Sequence, residues 1–205
     1  MNWLAHTLLS EPTIDFRLGN LLADLVRGAD REGMSGAFLR GAACHKAIDA
    51  FTDSHPVVRR SRGRVPAGYR RFSGVLIDVF YDYLLANQWD RYTAQPLRTF
   101  VDEFYADARG TTLPLPPDAR LTLERIVRLD LLGSYREIAG VEHALRRIST
   151  YLTQRWKRSF ELQASVPLLV ADEAGLAADF AEFFPQLQAH VAELLPVGQV
   201  SARWH

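Results

Sequence analysis

Between Val75 and Leu85 every residue is apolar or aromatic except Asp78 and Asp82. A stretch that apolar has to be buried. If it is helical, its two carboxylates stand four positions apart on one face. Carboxylates among large apolar side chains are costly to bury unless something positive or hydrogen-bonding faces them, and a divalent cation would serve. A second stretch, His45-Lys46-Ala47-Ile48-Asp49-Ala50-Phe51-Thr52-Asp53, repeats the spacing. On a helix His45, Asp49 and Asp53 point the same way while Ile48 and Phe51 turn to a core. Two helices presenting an imidazole and carboxylates inward is how bundles build metal sites. The plainer reading is a surface His45–Asp49 hydrogen bond, with Asp53-Ser54-His55-Pro56 as a helix end. Two acidic sets at this spacing, one inside an apolar helix, favour a polar metal site.

The rest of the chain is also periodic at helical spacing. Trp3, Leu4, Leu8 and Leu9 form a stripe that Pro12 ends, with His6 on the same segment. Leu18, Leu21, Leu22, Leu25 and Val26 predict a helix over 16–28 stopped by Gly28. Ser35 is placed to cap the helix that carries His45. Further helices are expected over 71–89, 97–108, from Pro117-Asp118 to Leu131, and over 141–156 after a separating Gly140. One long helix is expected over 168–195, with Pro185 kinking or dividing it. Strand-like alternation, internal repeats and heptad seams are missing. The expected fold is all-α, one irregular helical bundle over 1–205, with site helices within 1–90, packing helices over 91–197 and a tail over 198–205.

Acidic and basic residues balance at 24 each, so net charge points to no class of partner. With 48% apolar residues the chain is a folded globular protein. The single Cys44 reads as a small buried residue, since neighbours on a helix diverge by about 100° and it does not face His45. The opening residues lack a basic n-region, and no apolar run approaches the ~20 residues that span a bilayer. A soluble cytoplasmic protein without a membrane partner is expected. Between the two acidic stretches, Arg59, Arg60, Arg62, Arg64, Arg70 and Arg71 with Gly63, Pro66 and Gly68 predict an exposed, mobile, positive loop. Its position favours recognition of phosphate or an acidic protein. Tyr69 is the one aromatic inside it, thin support for nucleic acid. Asp24 and Arg27, three apart, read by themselves as a surface pair.

Imidazole with several carboxylates and no thiolate suits Mn²⁺, Mg²⁺ or Fe²⁺ better than structural zinc. Beside arginines such a site suits phosphoryl chemistry. Neither a G-x-S-x-G elbow nor a Gly-rich phosphate loop is present.

Four blocks carry a resemblance: Met1-Asn2-Trp3-Leu4-Ala5-His6, Gly19-Asn20-Leu21-Leu22-Ala23-Asp24-Leu25-Val26-Arg27-Gly28, the His45–Asp53 stretch, and Asp78-Val79-Phe80-Tyr81-Asp82-Tyr83-Leu84-Leu85. In this order they resemble the acyl carrier protein phosphodiesterase family. The resemblance implies an all-helical fold like that of HD-domain phosphohydrolases and Mn²⁺ as cofactor. It also implies hydrolysis of the phosphodiester joining 4′-phosphopantetheine to the serine of holo-acyl carrier protein. The positions it carries over as metal ligands are His6, Asp24, His45, Asp49, Asp78 and Asp82, with Asp53 as a further position. Asp24, His45, Asp49 and Arg27 would be catalytic, Arg27 as a phosphate contact, and the arginines of 59–71 would seat the acidic carrier protein. Two departures stand out: no His-Asp dipeptide occurs, and Asp82-Tyr83-Leu84-Leu85 stands where the family often reads Asp-His-Phe-Leu. Two rival readings remain, a non-catalytic helical module binding an acidic partner and a metal phosphohydrolase of small phosphodiesters or nucleotides. Oligomeric state cannot be read from the sequence.

Overall fold

A computed structural model describes residues 1–195; the tail expected over 198–205 lies outside the described residues. Among them are ten α-helices and no strand. In chain order these are α1 (Trp3–Leu8), α2 (Ile14–Leu22), α3 (Gly36–Ser54), α4 (Pro56–Arg64), α5 (Ser73–Asn87), α6 (Leu97–Arg109), α7 (Pro117–Arg128), α8 (Ile138–Trp156), α9 (Val166–Ala171) and α10 (Glu173–Leu194). They form an irregular all-helical bundle around one continuous core, consistent with an HD-like helical fold.

α5 is the central helix. Leu76, Ile77, Val79, Phe80, Tyr81, Leu84 and Leu85 are all buried, and it packs against α1, α4, α8 and α10. Its apolar sequence is explained by neighbours on every side. Phe180, Phe183 and Phe184 of α10 pack beside it, with Tyr81 edge-on to Phe180 at 5.0 Å between ring centroids.

α2 and α3 cross in direct backbone contact. A Cβ on Gly19 would lie 2.0 Å from the Phe38 carbonyl oxygen, and one on Gly41 would lie 2.1 Å from that of Phe16. Only glycine permits that approach. Ser35 caps α3 as expected, its hydroxyl oxygen accepting the Phe38 amide at 3.2 Å.

Several boundaries differ from the sequence expectation. The helix expected over 16–28 ends at Leu22. Arg31 then folds back and donates to the carbonyls of Val26 (3.0 Å) and Ala23 (3.4 Å), satisfying groups that a continuing helix would have used. Gly28, at φ +53°, opens a short 3₁₀ turn, Gly28–Arg31. The helix expected over 168–195 breaks at Asp172, between α9 and α10, and not at Pro185. Phe183, Phe184, Leu187 and Val191 are buried on either side of Pro185, and this packing keeps α10 continuous despite the missing amide. Gly140 lies inside α8 and does not separate it; a Cβ there would meet the Ser134 carbonyl at 2.0 Å. The arginine-rich stretch is not a mobile loop. It forms α4 and the 3₁₀ turn Ala67–Phe72, because its guanidinium groups are tied to acidic residues of neighbouring helices. No helix among the described residues is long and apolar enough to cross a membrane.

Candidate metal centre

The close α2–α3 crossing brings Asn20 against His45, and α1 lays His6 on the other side of Asn20. The His45 Nδ1 bonds the Asn20 backbone carbonyl at 2.7 Å. The His6 Nδ1 bonds the Asn20 side-chain carbonyl at 2.8 Å. The Asn20 amide nitrogen donates to the His6 carbonyl and to Ser10 Oγ, both at 2.9 Å, which fixes which end of the amide faces His6. Both Nδ1 atoms therefore meet acceptors and carry the proton. The two rings stack with centroids 4.3 Å apart.

With Nδ1 protonated, each neutral ring turns an Nε2 lone pair toward one place, the carboxylate of Asp49. Its oxygens lie 3.3 Å from His6 Nε2 and 3.1 Å from His45 Nε2. Both Nε2 atoms are buried without a hydrogen-bond partner. Two lone pairs and a carboxylate that converge repel one another unless a cation stands between them. Candidate ligand atoms of His6, His45 and Asp49 all fall within 4.8 Å of one another, so the three can hold a divalent metal ion. Burial lowers the pKa of His6, keeping it neutral as a ligand must be. Burial also opposes charge on His45, but the adjacent Asp49 carboxylate outweighs it and the pKa is raised.

The other expected positions are distributed around this centre. Asp78 stands nearby on α5, its Oδ1 buried without a hydrogen-bond partner and 3.3 Å from the Met1 amino group, which is 3.7 Å from Asp49. Asp24 Oδ2 is 3.7 Å from His45 Nε2, while its Oδ1 pairs with Arg27 at 3.3 Å on the exposed rim. Both line a cavity of about 330 Å³ with Ala23, Gly28, Arg31, His45 and Lys46.

Asp82 is fully buried and turned to another task. It accepts the backbone amides of Leu4 (2.8 Å) and Ala5 (3.1 Å) at the start of α1. Burial pushes its carboxyl up to about 7 despite those bonds. Asp53 bonds Arg62 at 2.5 Å on the surface. Tyr83 donates to Glu173 of α10, on a different side of α5 from Asp82. Cys44 is buried, its thiol pushed up to about 12 by desolvation, and it accepts from Asn20 at 3.7 Å.

Of the arginines of 59–71, Arg62 stands between Asp53 of α3 and Gly74 of α5, one turn from Asp49 and Asp78 respectively. Arg60 and Arg64 both bond the buried carboxylate of Asp179, at 2.7 and 2.8 Å, and reach on to Glu182 and Asp172. Arg70 donates to the Val65 carbonyl, and Arg71 lies over the Trp156 ring. Arg59 is exposed. Sequence reasoning assigned no role to Asn20. The available signal was an amide inside the apolar run Leu18–Leu22.

The profile of the family described as acyl carrier protein phosphodiesterase matches residues 1–187. A protein of that name from Pectobacterium atrosepticum is 32% identical over 157 residues, covering 73% of this chain and 78% of its own length. Another, from Escherichia coli O157:H7, is 30% identical over 194 residues, covering 94% of this chain and 98% of its own. No solved structure matches the chain.

Proposed function

The chain belongs to the acyl carrier protein phosphodiesterase family, and from that premise we propose that it hydrolyses the bond between 4′-phosphopantetheine and the serine of holo-acyl carrier protein. The family and the His6–His45–Asp49 cluster support a metal-dependent hydrolase acting on a phosphodiester. The observation that carries the proposal is the pair of unsatisfied Nε2 atoms aimed at one carboxylate.

We assign Mn²⁺ as the cofactor, with His6, His45 and Asp49 as ligands and Asp78 as the nearest further carboxylate. The imidazole and carboxylate donors suit Mn²⁺, with Mg²⁺ and Fe²⁺ as alternatives. Held there by His6, His45 and Asp49, the ion would supply Lewis acidity, neutralising phosphate charge and acidifying water. The protein's part follows from geometry. Asn20 holds both rings with Nε2 deprotonated. Asp24, exposed beside His45, takes the proton of the attacking water. Arg27 and Lys46, lining the same cavity, bind the non-bridging phosphate oxygens. The serine oxygen leaves and takes up the proton that Asp24 accepted from water, giving apo-acyl carrier protein and 4′-phosphopantetheine.

Incubating the pure protein with holo-acyl carrier protein, with Mn²⁺ and with chelator, tests this directly. Mass spectrometry should show loss of the prosthetic group only with metal. Turnover of small phosphodiesters without any loss from the carrier protein would favour the small-substrate phosphohydrolase instead. His45→Ala should abolish activity at every substrate concentration, whereas Lys46→Ala should mainly raise KM.

A further inference from the structure

The cations of this molecule are not equally available. Arg60 and Arg64 share Asp179, Arg62 is taken by Asp53, and Arg98 sits between Asp102 and Asp130. Three others gather where α8 passes the turn after α7. Arg125, Arg146 and Arg147 line a groove of about 420 Å³ with His143, over Leu129 and Leu131. No carboxylate lines the groove, and among the described residues none of the three is ion-paired. Leu129 beside them is 53% exposed.

Arg147 is the informative member. It is half-buried, with its guanidinium 4.5 Å from the Trp3 ring centroid. Burial lowers its pKa below the ordinary value, Arg125 adds like charge, and its polar partner is the phenol of Tyr135. A partly desolvated guanidinium among like charges lacks an anion. The groove also adjoins the metal centre. Trp3, beneath Arg147, lies one helical turn before His6 in α1, and Asn2 donates to Tyr135 at 2.6 Å.

We propose that this groove docks an acidic helical face of the carrier-protein substrate, a surface distinct from the arginine stretch 59–71. The inference rests on the function proposed above. Carboxylates of the partner meet Arg125, Arg146 and Arg147, and an apolar side chain covers Leu129 and Leu131. A small inorganic anion would satisfy the charge and leave the leucines wet; a helix carrying both kinds of side chain answers both.

The test is calorimetric titration with apo-acyl carrier protein, the product, so that turnover does not intervene. The wild type, the double reversal R125E/R146E and the charge-matched control R59E/R71E are compared, each with its thermal midpoint recorded. R125E/R146E should bind at least about tenfold more weakly, with R59E/R71E changing less than about threefold and R125K/R146K close to wild type. Absence of wild-type binding, unchanged binding in R125E/R146E, or equal loss in both reversals (an effect of net charge alone) overturns the inference. Wild-type hydrolysis of holo-carrier protein, measured separately, decides the function. Hydrolysis with unchanged binding in R125E/R146E leaves the function standing and removes the docking surface. Selective binding loss without hydrolysis does the reverse.

Discussion

Asn20 shows how one neutral residue can set up a cluster able to hold a metal ion. Its side-chain carbonyl, amide and backbone carbonyl are all used in setting the two histidines. Outer partners of this kind typically matter 10–100-fold in metal affinity. Asn20→Leu keeps the branched outline and removes the amide, freeing the His6 ring and leaving the His6 carbonyl and Ser10 with one partner fewer. Mn²⁺ affinity, measured by titration of the folded variant, is expected to fall by about that factor. The same scale explains what spacing could and could not reveal. The i, i+4 rule paired His45 with Asp49 from sequence. It also grouped Asp82 with the ligands, because a rule about side chains does not see backbone donors. The amides of Leu4 and Ala5, brought by a helix distant in sequence, meet that carboxylate instead.

Among the elements, two contacts stand out, one that sets the site residues and one that holds α4 to α10. The first is the α2–α3 crossing. Gly41→Ala would put a methyl group 2.1 Å from the Phe16 carbonyl, against backbone that has no rotamer to yield. Overpacking of this kind costs about 1–3 kcal/mol or more, and a thermal midpoint lower by roughly 3–10 °C is expected by calorimetry. Mn²⁺ affinity should fall as well, since the crossing sets the His45–Asn20 distance. The second contact is the α4–α10 clamp on Asp179. Burial works against its charge, but Arg64, Ser61 and Arg60 outweigh this and hold its carboxyl below the usual range. A depressed folded value contributes stability that is present above the unfolded pKa of about 4 and is lost as pH falls through the folded value. Asp179→Asn should therefore be less stable at neutral pH. The cost is on the order of 1–2 kcal/mol, because both guanidinium groups can rehydrate. Its denaturant midpoint should also change less than that of wild type on acidification below pH 4. Sequence composition read these arginines as a free, charged loop. Their partners lie more than a hundred residues away, at 172–182, and helix formation followed from the pairing.

At the scale of the molecule, helix content was legible because periodicity is local, and the fold class followed from it. The convergence of α1, α2, α3 and α5 on one point was not local. Spacing and the cost of burial grouped Asp78 with His45, but only the resemblance of the four sequence blocks carried His6 and Asp24 to the same neighbourhood. That convergence also predicts how the whole protein responds to its metal. The proposed ligands come from α1 and α3, with Asn20 of α2 between them, so a bound ion would join helices that are otherwise held by core contacts. A ligand that binds only the folded state stabilises it by about 2.7 kcal/mol at a hundred times its Kd. For a chain of this size that amounts to roughly 5–11 °C in thermal midpoint. Mn²⁺ should produce this shift at pH 7.5 and chelator should reverse it. The gain should shrink as pH falls, because protons compete for Nε2 of His45, whose pKa is raised. His45→Ala should melt at the same temperature with and without Mn²⁺. A full metal-induced shift in that variant, read by scanning calorimetry, would place the ion elsewhere in the molecule.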